Sequence, residues 1–174
     1  MLAPKIFNQI EVGETLGVED QLIGRTIQVL VSDLTGDSRK THIKLNLRVS
    51  GIESGKAVTQ IKELELLRGY MRSIIRRRSN KIEETIDVTT RDNAKVRVKP
   101  LVLTARLCTS GQETAIRKII RQLVEDSAKQ RTFDAFMLDL VSEKLPKDIR
   151  QAITKIYPIK NAEIRKAEVI QMPK

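Results

Sequence analysis

Between Arg25 and Leu107 the apolar residues of this chain mostly alternate with polar ones, and from Ser110 onward they recur every three or four positions. Alternation sends successive side chains to opposite faces of a strand, whereas the longer spacing gathers them on one face of a helix. Ile27, Val29 and Val31 share one side of a first predicted strand. Ile43, Leu45, Leu47 and Val49 alternate with His42, Lys44, Asn46 and Arg48 in the clearest strand of the sequence. The segment between them, Asp33-Leu34-Thr35-Gly36-Asp37, carries turn residues. Ser50-Gly51 and Ser54-Gly55 mark a reversal into a further strand at Ala57–Ile61. Ahead of all this, Glu11, Glu14, Glu19 and Asp20 make the stretch to Asp20 acidic, with Gly13 and Gly17 punctuating it. It reads as an irregular lead-in with one short strand.

The spacing of Leu64, Leu67, Met71 and Ile74 predicts a helix from about Lys62 to Arg78. Arg68, Arg72 and Arg76 would form one ridge of it, and Gly69 would weaken it by about 1 kcal/mol relative to Ala. Ile82–Thr90 and Lys95–Leu107 read as two strands around the turn Arg91-Asp92-Asn93, with Pro100 calling for an edge or a bend. Ser110-Gly111-Gln112-Glu113 fits a capping box that opens a helix buried along Ile116, Ile119, Ile120, Leu123 and Val124. A second helix, Phe133–Lys144, would bury Phe133, Phe136, Met137, Leu140 and Val141. Pro146 would open a third with Ile149, Ile153 and Ile156 inward, Pro158 would stop it, and Ala162–Gln171 would return as a strand. The pattern as a whole predicts an α+β fold. Its strands, apart from that final one in 109–174, lie in 1–108, around an inserted basic helix at about 62–78. A mainly helical part follows in 109–174, and the two make one integrated unit.

Charge changes the picture from fold to partner. The 174 residues carry a formal net charge of +10 at pH 7, which attracts polyanions and predicts salt-sensitive binding. Aromatic residues are 3% of the chain and Trp is absent. Stacking of several bases on exposed rings therefore gives way to contacts with backbone and shape. The strongest signal is Arg68, Arg72, Arg76, Arg77, Arg78 and Lys81 within fourteen positions. Arginine's planar fork suits phosphate oxygens, and such density repels itself when left only to water. Arg39 and Lys40 lie beside the strand face of Lys44. Arg97 and Lys99 line one side of a later strand, and Arg117, Lys118 and Arg121 decorate a helix. Each of these alone fits a solvated face; together they fit a folded protein touching RNA at several places.

Other chemistry has little support. Asp33 and Asp37 lack an accompanying acidic cluster, so a turn held by Asp side chains outweighs a cation site. His42, the only histidine, sits in a basic strand and reads as a surface residue or RNA contact. Cys108, the only cysteine, reads as a small apolar filler and excludes an intrachain disulfide. No glycine-rich phosphate loop, zincin motif or dinucleotide fingerprint occurs, and no cofactor or metal is expected. No stretch reaches the ~18 apolar residues of a membrane span, and no signal peptide is legible at the start.

An ordered set of short motifs then narrows the reading. These are Ala3-Pro4, Leu22-Ile23-Gly24-Arg25, Asp33-Leu34-Thr35-Gly36-Asp37, Leu67–Ile82, Asp87–Asp92, Lys95–Pro100, Ala115–Ile119, Lys155–Pro158 and Ala162–Lys166. In this order over nearly the whole chain, they resemble the archaeal and eukaryotic small-subunit ribosomal proteins of the S-three-A-e family, also called eukaryotic-type S-one. The resemblance implies a β-rich, barrel-like central body with a helical C-terminal part. It implies a cytoplasmic, ribosome-bound protein on the platform of the small subunit, near the messenger exit and the 3′ end of the small-subunit RNA. Neighbouring small-subunit proteins, and messenger near the exit, are the partners it adds; no membrane and no homo-oligomer are expected. The length is closer to archaeal members.

This sequence departs from that pattern in places. Only Met1 and Leu2 stand where the family has a basic, aromatic arm, so no contact of that arm is carried over. Gln28 replaces an acidic residue and Leu47 an aromatic one, while Arg76–Arg78 are intact. Two other classes remain open on the residues alone. One is an RNA-binding regulator or adaptor outside the ribosome. The other is a nuclease using Asp33 and Asp37, for which the sequence offers least.

Overall fold

A computed structural model of the protein describes residues 1–15, 17, 19–53 and 55–172. The chain divides into two compact units, Met1–Leu67 and Arg68–Lys174. The boundary falls where a run of paired strands ends, ahead of position 108, where the sequence pattern turns from strands to helices.

The first unit opens with a short helical turn α1 (Glu19–Leu22) and is built on a meander of β1 (Thr26–Leu30), β2 (Ile43–Glu53) and β3 (Lys56–Leu66). Neighbours pair antiparallel, Thr26 with Arg48 and Leu30 with Lys44 on one side of β2, Ile43 with Leu66 on the other. Alternation works as expected in β2, where Ile43, Leu45, Leu47 and Val49 are buried. Each such side chain removed from water contributes about 1.5–3 kcal/mol. Between β1 and β2, Val31–Thr35 form a single helical turn, α2, ended by Gly36 in the left-handed region (φ 69°). The expected irregular lead-in is partly paired. The Leu2 amide donates to the Ala57 carbonyl (2.8 Å) and the Thr59 hydroxyl to the Leu2 carbonyl (2.8 Å), so Ala3 and Phe7 join this unit's core.

Two expectations need correction here. Ser50-Gly51 is no turn: β2 runs through it to Glu53, and the pattern slips there because the register shifts between Val49 and Gly51. The reversal follows Glu53 and uses Gly55 in the left-handed region (φ 74°); Ser54 lies outside the described residues. The basic helix expected from Lys62 begins only at Arg68, because Lys62–Leu66 continue β3. A bulge is the cause. Ile61 pairs with Leu47 and Glu63 with Asn46, leaving Lys62 unpaired. The extra residue puts Ile61 and Leu64 on the buried side three positions apart, which imitates helical spacing.

The second unit begins with α3 (Arg68–Ile74) and continues through β4 (Lys81–Glu83), β5 (Ile86–Thr89) and β6 (Lys95–Thr104). It ends with α4 (Ser110–Gln130), α5 (Phe133–Val141), α6 (Lys144–Thr154) and β7 (Ile159–Gln171). β6 is the central strand, antiparallel to β7 on one side and to β4 and β5 on the other. The single strand expected over Ile82–Thr90 is thus split. Glu83 pairs with Leu101 and Ile86 with Val98, so the break faces Lys99 and Pro100. Pro100 has no N–H to offer, and the ladder is interrupted where that donor is missing. Instead of lying at an edge, Pro100 is buried, with a register shift beside it on the β7 side.

The helices bury most of the faces that their spacing announced; Ile119 and Leu123 of α4 are only half-buried, and Ile156, expected inward, lies past the end of α6 at Thr154 and is 44% exposed. Ile116, Ile120 and Val124 of α4, Phe136, Met137 and Leu140 of α5, and Ile149 and Ile153 of α6 are at most 2% exposed. The cap of α4 is displaced by one residue from expectation: Thr109 is the N-cap, and its amide donates to Gln112 Oε1 (3.0 Å). α5 stops at Val141, short of Lys144, and Lys144 opens α6 two residues before Pro146. The α+β class holds, with the long helices gathered in the C-terminal part.

Candidate nucleic-acid interface

The first turns of the second unit carry a dense run of cations. Arg68 and Arg72 are one ridge of α3, separated by one helical turn. Arg76 lies beyond the end of the helix at Ile74, so the expected three-arginine ridge is two arginines and a loop. Arg76, Arg77 and Arg78 follow as an exposed loop just past the helix C-terminus, where the macrodipole favours cations. Arg78 adopts a left-handed conformation (φ 65°), an uncommon state for a residue with a Cβ. All five arginines are exposed, and among the described residues none of them is in an ion pair.

Two anchors hold this run. Upstream, the Tyr70 hydroxyl donates to Glu163 Oε1 of β7 (3.3 Å). Burial and the neighbouring carboxylates Glu163 and Glu143 push the Tyr70 hydroxyl up to about 12. Burial first, then the charge of Glu143, pushes the Glu163 carboxyl up to about 7. Downstream, Asn80 is tied on four sides. Its amide donates to Thr104 Oγ1 (2.8 Å), and its carbonyl accepts from the Thr104 amide (3.1 Å). Its side chain donates to Glu113 Oε1 (2.5 Å) and accepts from the Cys108 amide (3.2 Å). The arginine loop is therefore fixed to the end of β6 and the start of α4. Ser79 adds a local clasp, its hydroxyl donating to the Arg76 carbonyl (2.7 Å).

Most of the other basic candidates are neutralised locally. Arg97 forms a two-pronged pair with Asp87 (2.7 and 2.9 Å), whose hydrogen bonds hold the Asp87 carboxyl below its ordinary range. Lys44 pairs with Glu65 (3.1 Å), Lys81 with Glu83 (2.9 Å), Arg117 with Glu113 (3.0 Å) and Arg121 with Glu84. Arg39 and Lys40 both lie within 4.0 Å of Asp37. Lys99 is half-buried and Lys118 exposed, and neither is ion-paired among the described residues.

Asp37 is spent on its own turn: it caps a short 3-10 turn by accepting from the Arg39 amide (3.1 Å), a bond that holds its carboxyl low. Asp33 accepts from the neighbouring Ser32 hydroxyl (3.1 Å). Among the described residues no cluster of three potential metal ligands occurs. His42 Nδ1 sits 3.0 Å from the Arg39 carbonyl. Cys108 is half-buried, and burial pushes its thiol up, away from thiolate reactivity. Sequence reasoning missed Tyr70 and Asn80 as the anchors. It also missed Arg106, an exposed cation whose carbonyl accepts from the same Thr104 hydroxyl that serves Asn80 (2.6 Å). A cation shortly after the apolar run Leu101–Leu103 was the available signal.

Comparison with known proteins supplies the context for these cations. The family model described as the Ribosomal S3Ae family matches residues 1–173. A protein of Saccharolobus solfataricus named small ribosomal subunit protein eS1 is 41% identical, over 99% of this chain and 84% of its own length. Proteins of the same name from Saccharolobus islandicus and Methanopyrus kandleri are 40% and 39% identical over the same shares.

Proposed function

The chain belongs to the ribosomal S3Ae family and has that family's structural, non-enzymatic role in the small subunit of the cytoplasmic ribosome, and from this premise we propose that Arg68, Arg72, Arg76, Arg77 and Arg78 hold ribosomal RNA phosphates. One observation carries the assignment: five exposed arginines without a carboxylate partner among the described residues, anchored at Tyr70 and Asn80. Unpaired cations bind phosphate without first giving up a partner, and a fixed loop loses less freedom on binding. Lys99, Lys118 and Arg106 are secondary contacts by the same criterion. Arg39, Lys40, Lys44, Lys81, Arg97, Arg117 and Arg121 contribute mainly through the field they share with their carboxylates. The family resemblance supports a place on the platform near the messenger exit, with other small-subunit proteins as neighbours and messenger passing close by.

The test is incorporation. Wild-type protein in a cell extract should co-sediment with small subunits at moderate and at high salt. A variant with Arg76, Arg77 and Arg78 exchanged for Glu should stay in light fractions while keeping its circular dichroism spectrum. Normal incorporation of that folded variant overturns the assignment. Wild-type protein found only in light fractions would point to an RNA-binding role outside the ribosome.

A further inference from the structure

Beside the arginine loop lies a corner that phosphate binding does not explain. Leu107 is 68% exposed, more than any other large apolar residue of the described chain, and Ile156 is 44% exposed. Their segments are joined: the Tyr157 hydroxyl donates to the Leu107 carbonyl (3.0 Å), and the Ala105 amide donates to the Pro158 carbonyl (3.0 Å). A scattered exposed leucine needs no explanation. This one differs because the backbone is held at three consecutive residues, Arg106, Leu107 and Cys108. Thr104 grips the Arg106 carbonyl, Tyr157 the Leu107 carbonyl, and Asn80 the Cys108 amide. The chain thus presents an apolar side chain to water on a fixed support, with the half-exposed Tyr157 next to it.

The surroundings select the occupant. Arg106 and Lys155 are exposed cations flanking the corner in sequence. Asn80 ties the same loop to the end of the segment bearing Arg76, Arg77 and Arg78. The nearest carboxylate on this network, Glu113, is already engaged by Asn80 and Arg117. An apolar protein surface would have to bury these cations without compensation, at a desolvation cost. A nucleotide offers both things the corner asks for: an apolar base face and an anionic phosphate. Bases in a paired stem are stacked away, so the base must be unpaired.

We propose that the corner of Arg106, Leu107, Ile156 and Tyr157 seats an unpaired RNA nucleotide, with Leu107 against the base and Arg106 on an adjoining phosphate. This rests on the RNA-binding reading of the arginine loop and adds the kind of RNA feature it reads: a bulge or loop beside a stem. The arginines supply affinity for any stem, and the corner supplies preference.

The experiment uses the full chain and two labelled RNA hairpins, one fully paired and one with a single bulged adenosine, compared by fluorescence anisotropy at one salt concentration. Wild type should prefer the bulged hairpin by about fivefold or more, the scale of partly removing one leucine side chain from water. Leu107→Ser should abolish the preference without changing affinity for the paired hairpin, and Leu107→Met should keep it. Equal binding of both hairpins by wild type, or a preference that survives Leu107→Ser, overturns the nucleotide seat. If affinity still collapses when Arg76, Arg77 and Arg78 become Glu, the phosphate reading stands alone. If that variant binds as wild type does, the phosphate reading has failed as well. A photo-crosslinker at position 107 in assembled subunits should label RNA; labelling only a protein would assign the corner to a protein partner and overturn the proposal.

Discussion

Arg76–Arg78 and Lys95–Lys99 belong to the same unit, and both look like nucleic-acid contacts in the sequence. They differ in their neighbours. The first run sits on a loop with no ion pair among the described residues, anchored at Tyr70 and Asn80 and clasped locally by Ser79. The second lies on β6, and its central Arg97 faces Asp87 of β5 directly across the ladder. A strand brings cross-strand pairs within reach of each other. A loop beyond a helix end has no such neighbour. The comparison teaches that basic density marks a candidate, while the partner each cation already has decides how much of its charge remains for RNA.

The largest expected effect follows directly. Exchanging Arg76, Arg77 and Arg78 for Ala should lower the dependence of log affinity on log salt by about two to three, the release expected for up to three phosphate contacts. Affinity at physiological salt should fall by about two orders of magnitude. Titrations of one RNA at several salt concentrations read both quantities. An unchanged slope would place the phosphate contacts elsewhere and erase the distinction between loop and strand.

The anchors come next in size. Asn80→Ala removes the side-chain bonds to Glu113 and the Cys108 amide. Leaving such partners unsatisfied costs about 1–3 kcal/mol, readable by urea denaturation. The freed loop should also bind RNA about threefold more weakly, because its ordering is then charged to binding. Full stability in Asn80→Ala would mean the loop is held by its backbone bonds to Thr104 alone.

At the upstream anchor the effect depends on pH. Glu163 has its carboxyl raised from 4.5 to about 7 by burial and by Glu143, partly offset by Tyr70 and Arg150. Between those values the folded protein holds a proton that the unfolded chain has released. The resulting stability is fully present below about pH 4.5 and is lost as pH rises through about 7. Glu163→Gln, which stays neutral, should therefore stabilise the protein by on the order of 1–3 kcal/mol at pH 8 and much less at pH 5. Thermal midpoints of the two proteins at both pH values check this. A gain equal at both would show that the carboxyl titrates normally.

Fold and site were legible to different depths, for identifiable reasons. The alternation of β2 and most of the stripes of α4 to α6 read correctly because one face of each is buried, while Ile156 read wrongly because α6 ends at Thr154, two residues before it. Reading failed at Lys62 and at Ser50-Gly51, where a bulge inserts a residue and converts period two into a false helix or a false turn. The split of β4 from β5 was hidden because its cause, Pro100, lies on the partner strand. At the site, the arginine density was plain. The carboxylates that neutralise Arg97 and Arg121 come from ten and thirty-seven residues away, and Glu163 meets Tyr70 across ninety-three. Local pattern carries no record of such pairs.

The smallest expected effect is the sharpest check of the comparison, because it predicts near-silence. Replacing Asp87 with Asn and Arg97 with Ala together removes one charge of each sign and leaves the local charge unchanged. If Arg97 is engaged by Asp87 and not by RNA, affinity should stay within about twofold of wild type, well inside the cost of one lost phosphate contact. The single variant Arg77→Ala, measured beside it, should fall by more. The single variant Arg97→Ala is the wrong control, since it leaves Asp87 unpaired near the RNA and weakens binding by repulsion even where Arg97 touches nothing. A double variant that loses as much affinity as Arg77→Ala would mean that Arg97 leaves Asp87 for phosphate when RNA arrives. Pairing in the free protein would then be a reservoir of contacts, and the strand would rank with the loop.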